Sequence, residues 1–214
     1  MPKITFKEFL IEAPLPAEWD KSVYKPETSF KKRIEYAKER AARIGGGSSR
    51  IAFEIQYEGR PTILKIAKNR KGMAQNEYEA NMMINDWYVK DLGIVIPGID
   101  ADEENDPPTW IHMEKADKVN VASFRKYFSG LDPAGLERLT KYMIGRLNVS
   151  PEEEQEYQEI AENNEAISSY IELIGNYSVE IGDFNRLANW GVYDGRVVII
   201  DIGGSSDIIQ KHYS

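Results

Sequence analysis

The chain has 214 residues, 42% of them hydrophobic and 29% charged, enough for one good core or two small lobes. It contains no cysteine, which excludes a disulfide framework, a thiolate zinc site and a cysteine nucleophile. A formal net charge of −8 argues against general nucleic-acid binding, which rests on Lys and Arg neutralising phosphates, and no stretch approaches the length of a membrane span.

Residues 3–12 read as a short amphipathic helix with Ile4, Phe6, Phe9 and Leu10 roughly on one side. Charge at Lys7, Glu8 and Glu12 interrupts its apolar positions, so a signal peptide is not expected. Ala13-Pro14-Leu15-Pro16 breaks the helix, and the chain up to Pro26 reads as an extended linker. Ser29 is a candidate N-cap for a helix to about Arg43, with Phe30, Ile34, Ala37 and Ala41 inward, ended by Gly45-Gly46-Gly47-Ser48-Ser49. Strands are expected at 50–57, at 62–67 after a Glu58-Gly59 turn, and at 110–114. Between the second and third lies a helix from about Met73 to Lys90, stopped by Gly93. The acidic, proline-bearing run from Asp102 to Pro108 reads as a surface turn between two strands.

The second half reads as helical at 124–128 and 134–146, then as one long helix from Ser150 to about Ile174. Ser150-Pro151-Glu152-Glu153-Glu154 supplies its cap, its first-position proline and acids against the positive end of the dipole, and Gly175 closes it. Asp183 and Asn189 fall in a loop, Asp194-Gly195 is a tight hairpin turn, and Val197 to Ile200 is a buried strand ending on Asp201-Ile202-Gly203-Gly204. A carboxylate directly after an apolar strand is costly unless a cation meets it, and carboxylate with amide oxygens suits a hard divalent metal. His112 and His212 show no metal-ligand spacing and read as structural or surface residues.

This order of elements and polar residues resembles the protein-kinase-like fold over roughly residues 40–204. The expected fold is therefore α+β: a small antiparallel β lobe at 29–116 after a leader and linker at 1–28, then a truncated helical lobe at 117–214. Gly45, Gly46, Gly47, Ser48 and Ser49 look like a glycine-rich phosphate loop, or else only a helix C-cap with a flexible turn. Thr62-Ile63-Leu64-Lys65-Ile66-Ala67 resembles the strand whose Lys meets the α- and β-phosphates, with Lys65 on the face of Ile63 and Ala67. Glu79, or Glu77, stands where that Lys finds its carboxylate partner. The resemblance places adenine near Met113, Glu114 and Ala116, makes Asp183 the base for the acceptor hydroxyl, and puts Asn189 and Asp201 on magnesium.

The departures carry meaning too. Ile181-Gly182-Asp183 replaces His-Arg-Asp, and Asp183 precedes Asn189 by six residues rather than five. Arg186 stands in for the catalytic-loop Lys or is a surface cation. With 13 residues after Asp201, an activation segment and peptide platform are not expected. The first residues also resemble the head-targeting leader of large tailed bacteriophages, cut after a Leu-x-Glu such as Leu10-Ile11-Glu12; a helix packed on the small lobe is the other reading. Together the resemblances imply a phage-encoded phosphotransferase using ATP and Mg on an unknown acceptor, in the host cytoplasm or packaged in the virion. The alternatives are a pseudokinase-like binding protein that inhibits a host factor, and a transferase that moves a nucleotidyl group.

Overall fold

The computed structural model describes residues 15–177 and 179–202. The expected leader helix at 3–12, Gly203, Gly204 and His212 lie outside the described residues. The fold is α+β, built on a five-stranded antiparallel sheet in which Ala42–Gly46, Arg50–Tyr57, Arg60–Ala67, Trp110–Glu114 and Gly98–Ala101 lie side by side in that order, and a three-stranded sheet of Asp117–Lys118, Trp190–Tyr193 and Arg196–Ile199.

Ser29 caps α1 (Phe30–Lys38) by accepting from the Lys32 N–H. That helix is shorter than expected, because Ala42–Gly46 is not its end but strand β1. Its strand character was hidden by five residues that are largely exposed and do not alternate. Strands β2 (Arg50–Tyr57) and β3 (Arg60–Ala67) form a hairpin, with Glu58 and Gly59 both at positive φ in the turn. Asn69 caps α2 (Arg70–Ala80), which packs against β3. The single helix expected to Lys90 is broken: a π-helical turn at Asn81–Asn85 follows, then Asp86 caps a separate α3 (Trp87–Leu92), ended by Gly93 in the left-handed region. Strands β4 (Gly98–Ala101) and β5 (Trp110–Glu114) complete the sheet. The turn between them is not merely surface, since Asp102 is buried and accepts from Asn105 and from the backbone and hydroxyl of Thr109.

The expected linker is packed structure. A 3-10 turn at Lys21–Tyr24 brings Leu15, Trp19, Val23 and Tyr24 against Phe53, Leu64, Ile66 and Trp110 on the outer face of the sheet. The apolar residues among the prolines explain it, because burying them favours docking over solvent exposure.

Strand β6 (Asp117–Lys118) leads into α4 (Val121–Tyr127), α5 (Pro133–Met143), α6 (Pro151–Glu162) and α7 (Glu165–Asn176). The expected helix over 150–174 is thus two: Asn163 ends α6, and Asn164 caps α7 by accepting from the Ile167 N–H. Gly175 lies inside α7 rather than closing it. Strands β7 (Trp190–Tyr193) and β8 (Arg196–Ile199) form the last hairpin across Asp194-Gly195. Backbone bonds between Ile94, Ile96 and Ile199 (2.8–2.9 Å) tie β8 to the segment entering β4, holding this hairpin beneath the larger sheet. No helix among the described residues is long and apolar enough to cross a membrane.

Candidate active site

A cleft of about 1440 Å³ opens between the larger sheet and the C-terminal hairpin. Every expected site residue except Glu79 lines it: Gly45 to Ser49, Lys65, Met113, Glu114, Ala116, Asp183, Arg186, Asn189 and Asp201. Glu79 sits behind that wall, 1% exposed.

The roof is built by strand alternation. Ala52 lies opposite Lys65 in the β2–β3 register, and Ile63 is two residues before it on the same face. Ala52, Ile63 and Met113 give the cleft an apolar end beside the 115–116 crossing between the sheets. Gly191 lets β7 approach that crossing: a Cβ there would stand 2.6 Å from the Ala116 Cβ and 3.0 Å from the Asp117 carbonyl oxygen. The Glu114 side chain is held by Arg60 (2.5–2.6 Å), so its part at this end is structural.

At the glycine-rich turn, Gly46 has φ +158° and Gly47 N–H donates to the Arg50 carbonyl oxygen at 3.0 Å. Lys68 donates to the Gly47 carbonyl oxygen at 2.7 Å. Gly72 allows α2 to start directly behind this turn, since a Cβ would fall 2.2 Å from the Ser49 carbonyl oxygen. The glycines therefore turn a hairpin rather than cap a helix, and that hairpin borders the cleft.

The charged centre is a four-membered network. Lys65 Nζ donates to both Glu79 oxygens at 3.0–3.1 Å, to the Ile200 carbonyl oxygen at 2.9 Å, and reaches Asp201 Oδ1 at 3.4 Å. Glu79 is therefore the partner of Lys65, and Glu77 is exposed. Glu79 also accepts from the Ile202 N–H at 3.1 Å, which ties α2 to the end of the hairpin. The fourth member escaped sequence reasoning. Arg50, 7% exposed, reaches Glu79 at 2.8–2.9 Å and Asp201 Oδ1 at 2.6 Å. Burial pulls its pKa down, but Glu79 and Asp201 outweigh that and raise it, so it stays charged. The signal available was alternation, which puts Arg50 on the cleft face with Ala52.

Asp183 occupies a 3-10 turn at Ile181–Asn185, and Asn189 a second one at Leu187–Asn189. Asn189 Nδ2 donates to the Asp183 carbonyl oxygen at 2.7 Å, and Trp190 Nε1 donates to the Phe184 carbonyl oxygen at 2.8 Å. Phe184 and Trp190 pack with Tyr170 below, so the turn rests on an aromatic floor. Burial raises the Asp183 pKa, with Arg186 opposing and Asp201 and Glu180 adding to it. A carboxyl shifted this way at a cleft wall suits proton transfer.

Asp201 and Asn189 offer carboxylate and amide oxygens of the kind hard divalent ions take, and both line one cleft, so their chemistry fits magnesium. Among the described residues, no group of three or more His, Asp or Glu side chains could hold a metal by themselves.

A scan of protein-family models and a search of curated proteins find no match to this chain. Among solved structures it is similar to the PknI kinase domain of Mycobacterium tuberculosis, at 15% identity and TM-score 0.39 over 77% of this chain and 58% of that one. It is also similar to a thermostable mutant of aminoglycoside phosphotransferase APH(4)-Ia in ternary complex with AMP-PNP and hygromycin B. There the identity is 13% and the TM-score 0.37, over 77% of this chain and 66% of that one. The chain thus spans about three fifths to two thirds of those two proteins.

Proposed function

We propose that the protein is an ATP-dependent phosphotransferase of kinase-like design. The observation that carries this reading is the buried Lys65–Glu79 pair on β3 and α2, set beside Asp201 at the end of the hairpin. In this reading adenine lies at the apolar end near Met113 to Ala116, and the phosphates lie under Gly45 to Ser49 beside Lys65. Magnesium would be held by Asn189 and Asp201 and would supply charge neutralisation to the phosphate oxygens. Asp183 orients the acceptor hydroxyl and takes its proton as the new oxygen–phosphorus bond forms and the bond to ADP breaks. Such transfer depends mainly on positioning and charge stabilisation, which these few side chains supply.

Loss of a general base costs typically 10²–10⁴-fold in rate. Asp183→Asn should therefore lower ATP turnover at least about a hundredfold, read as ADP release; an Asp201→Ala protein with full turnover would sink the reading. Mass spectrometry of acceptors distinguishes an added phosphate from an added AMP. A second reading, a nucleotide-binding pseudokinase acting on a host factor, is favoured by the hold of Arg50 on Asp201. Persistent ATP binding without turnover would select it. We infer a phage source and prohead association from the leader-like residues 1–12, supported by Leu10-Ile11-Glu12 followed by Ala13. A new N-terminus at Ala13 in mature particles is the expected sign.

A further inference from the structure

Arg50 is the part of the charged centre that the kinase-like reading does not use. It opens β2 on the cleft face and is fixed from two sides, by Glu79 at 2.8–2.9 Å and by Asp201 Oδ1 at 2.6 Å. Lys65 approaches the same Asp201 oxygen at 3.4 Å. Two cations and two carboxylates therefore balance one another, and the Asp201 side chain, 42% exposed, is the member most open to the cleft.

Magnesium sits about 2.0–2.1 Å from a ligating oxygen and tolerates little departure from octahedral geometry. A dication at that distance from Asp201 Oδ1 would face a guanidinium hydrogen-bonded to the same atom. Like charge and crowding set the two occupants in competition for that oxygen. Release would not strand the guanidinium, because Glu79 keeps its own contact with Arg50. An uncompensated buried charge, the usual penalty of breaking such a pair, is thereby avoided.

We propose that Arg50 sets the metal requirement of this cleft by competing with a divalent cation for Asp201, so that metal binds only as the guanidinium gives the carboxylate up. The inference rests on the reading of the cleft as a metal–nucleotide site. It makes Arg50 a specificity-determining residue delivered from the strand after the glycine-rich turn. Divalent affinity is weak while the guanidinium stays in place, and the Glu79 contact sets how readily it leaves.

Mn²⁺ is the probe, its free concentration followed by electron paramagnetic resonance, first without nucleotide and then with ADP. Arg50→Gln should bind Mn²⁺ at least tenfold more tightly than wild type, and Arg50→Lys, which keeps a cation at the position, should stay near wild type. An Arg50→Gln protein that binds Mn²⁺ no more tightly than wild type overturns the proposal. Should Arg50→Gln not fold, the wild-type protein decides by NMR: the Arg50 Nε–H signal is expected to move as Mg²⁺ binds. A signal unmoved while Mg²⁺ saturates the protein overturns the proposal equally. ADP that binds none of these proteins overturns the nucleotide reading instead, while the metal-only titration still decides the role of Arg50.

Discussion

Glu79 shows how one side chain can hold a site together. It accepts from Lys65, Arg50 and the Ile202 N–H while 1% exposed, so α2, two strands and the hairpin end meet on a single carboxylate. Removing one partner of a buried ionic group costs roughly 3–5 kcal/mol, because the remaining charges lose their compensation. Glu79→Gln should lose stability on that scale in chemical denaturation, whereas Glu77→Gln, on the exposed side of the same helix, should stay within about 0.5 kcal/mol of wild type. Equal effects would contradict the pairing. The kinase-like order of residues along the chain singled out Lys65, Asp183, Asn189 and Asp201, and these four line one cleft. Choosing Glu79 over Glu77 needed the helix phase in three dimensions, and a buried Arg50 looks in sequence like any strand-end arginine.

At the scale of elements, the close approach of β7 to the 115–117 segment depends on Gly191. A Cβ there would meet the Ala116 Cβ at 2.6 Å, the Asp117 carbonyl oxygen at 3.0 Å and Ile200 Cγ2 at 3.1 Å. Overpacking of this kind costs typically about 1–3 kcal/mol. Gly191→Ala should lower Tm by several degrees and weaken nucleotide binding together; an unchanged Tm would show that the hairpin has room to move. Asp86 joins two further elements, capping α3 through the Tyr88 and Val89 N–H groups and accepting from the Tyr177 hydroxyl after α7. The Tyr177 hydrogen bond, partly offset by desolvation and aided by the two backbone donors, holds the Asp86 carboxyl below its ordinary 3.8. A depressed carboxylate stabilises the fold above its unfolded pKa, and that stability is lost as pH falls through the folded value. Asp86→Asn should therefore lower Tm at neutral pH, with the difference from wild type vanishing below the folded pKa. A pH-independent difference would contradict the assignment. Turn chemistry made the Glu58-Gly59 and Asp194-Gly195 hairpins readable. The breaks at Asp86 and Asn164 were not, because the helical pattern of apolar residues continues across them while a single capping side chain decides where the backbone stops.

Across the whole molecule, the cleft exists because residues far apart in the chain are brought to one place. The Ile94–Ile96 segment bonds to Ile199, the Ile202 N–H bonds to Glu79, and Lys65 bonds to the Ile200 carbonyl oxygen. The C-terminal hairpin is thus fastened beneath a sheet whose strand β3 lies far earlier in the chain, Lys65 and Ile200 being 135 residues apart. The packing of residues 15–24 on the opposite face of that sheet supports it from outside. If the cleft binds nucleotide phosphates through Lys65, ligand that binds only the folded state must raise its stability, by about 2.7 kcal/mol at a hundredfold excess over Kd. The most direct measurement is a thermal-shift titration with ATP and Mg²⁺ on wild type and Lys65→Met, each compared with its own unliganded Tm. A saturable rise of several degrees in wild type, absent or strongly reduced in Lys65→Met, is the expected result. An unmoved wild-type Tm, or an equal rise in both proteins, would contradict the account.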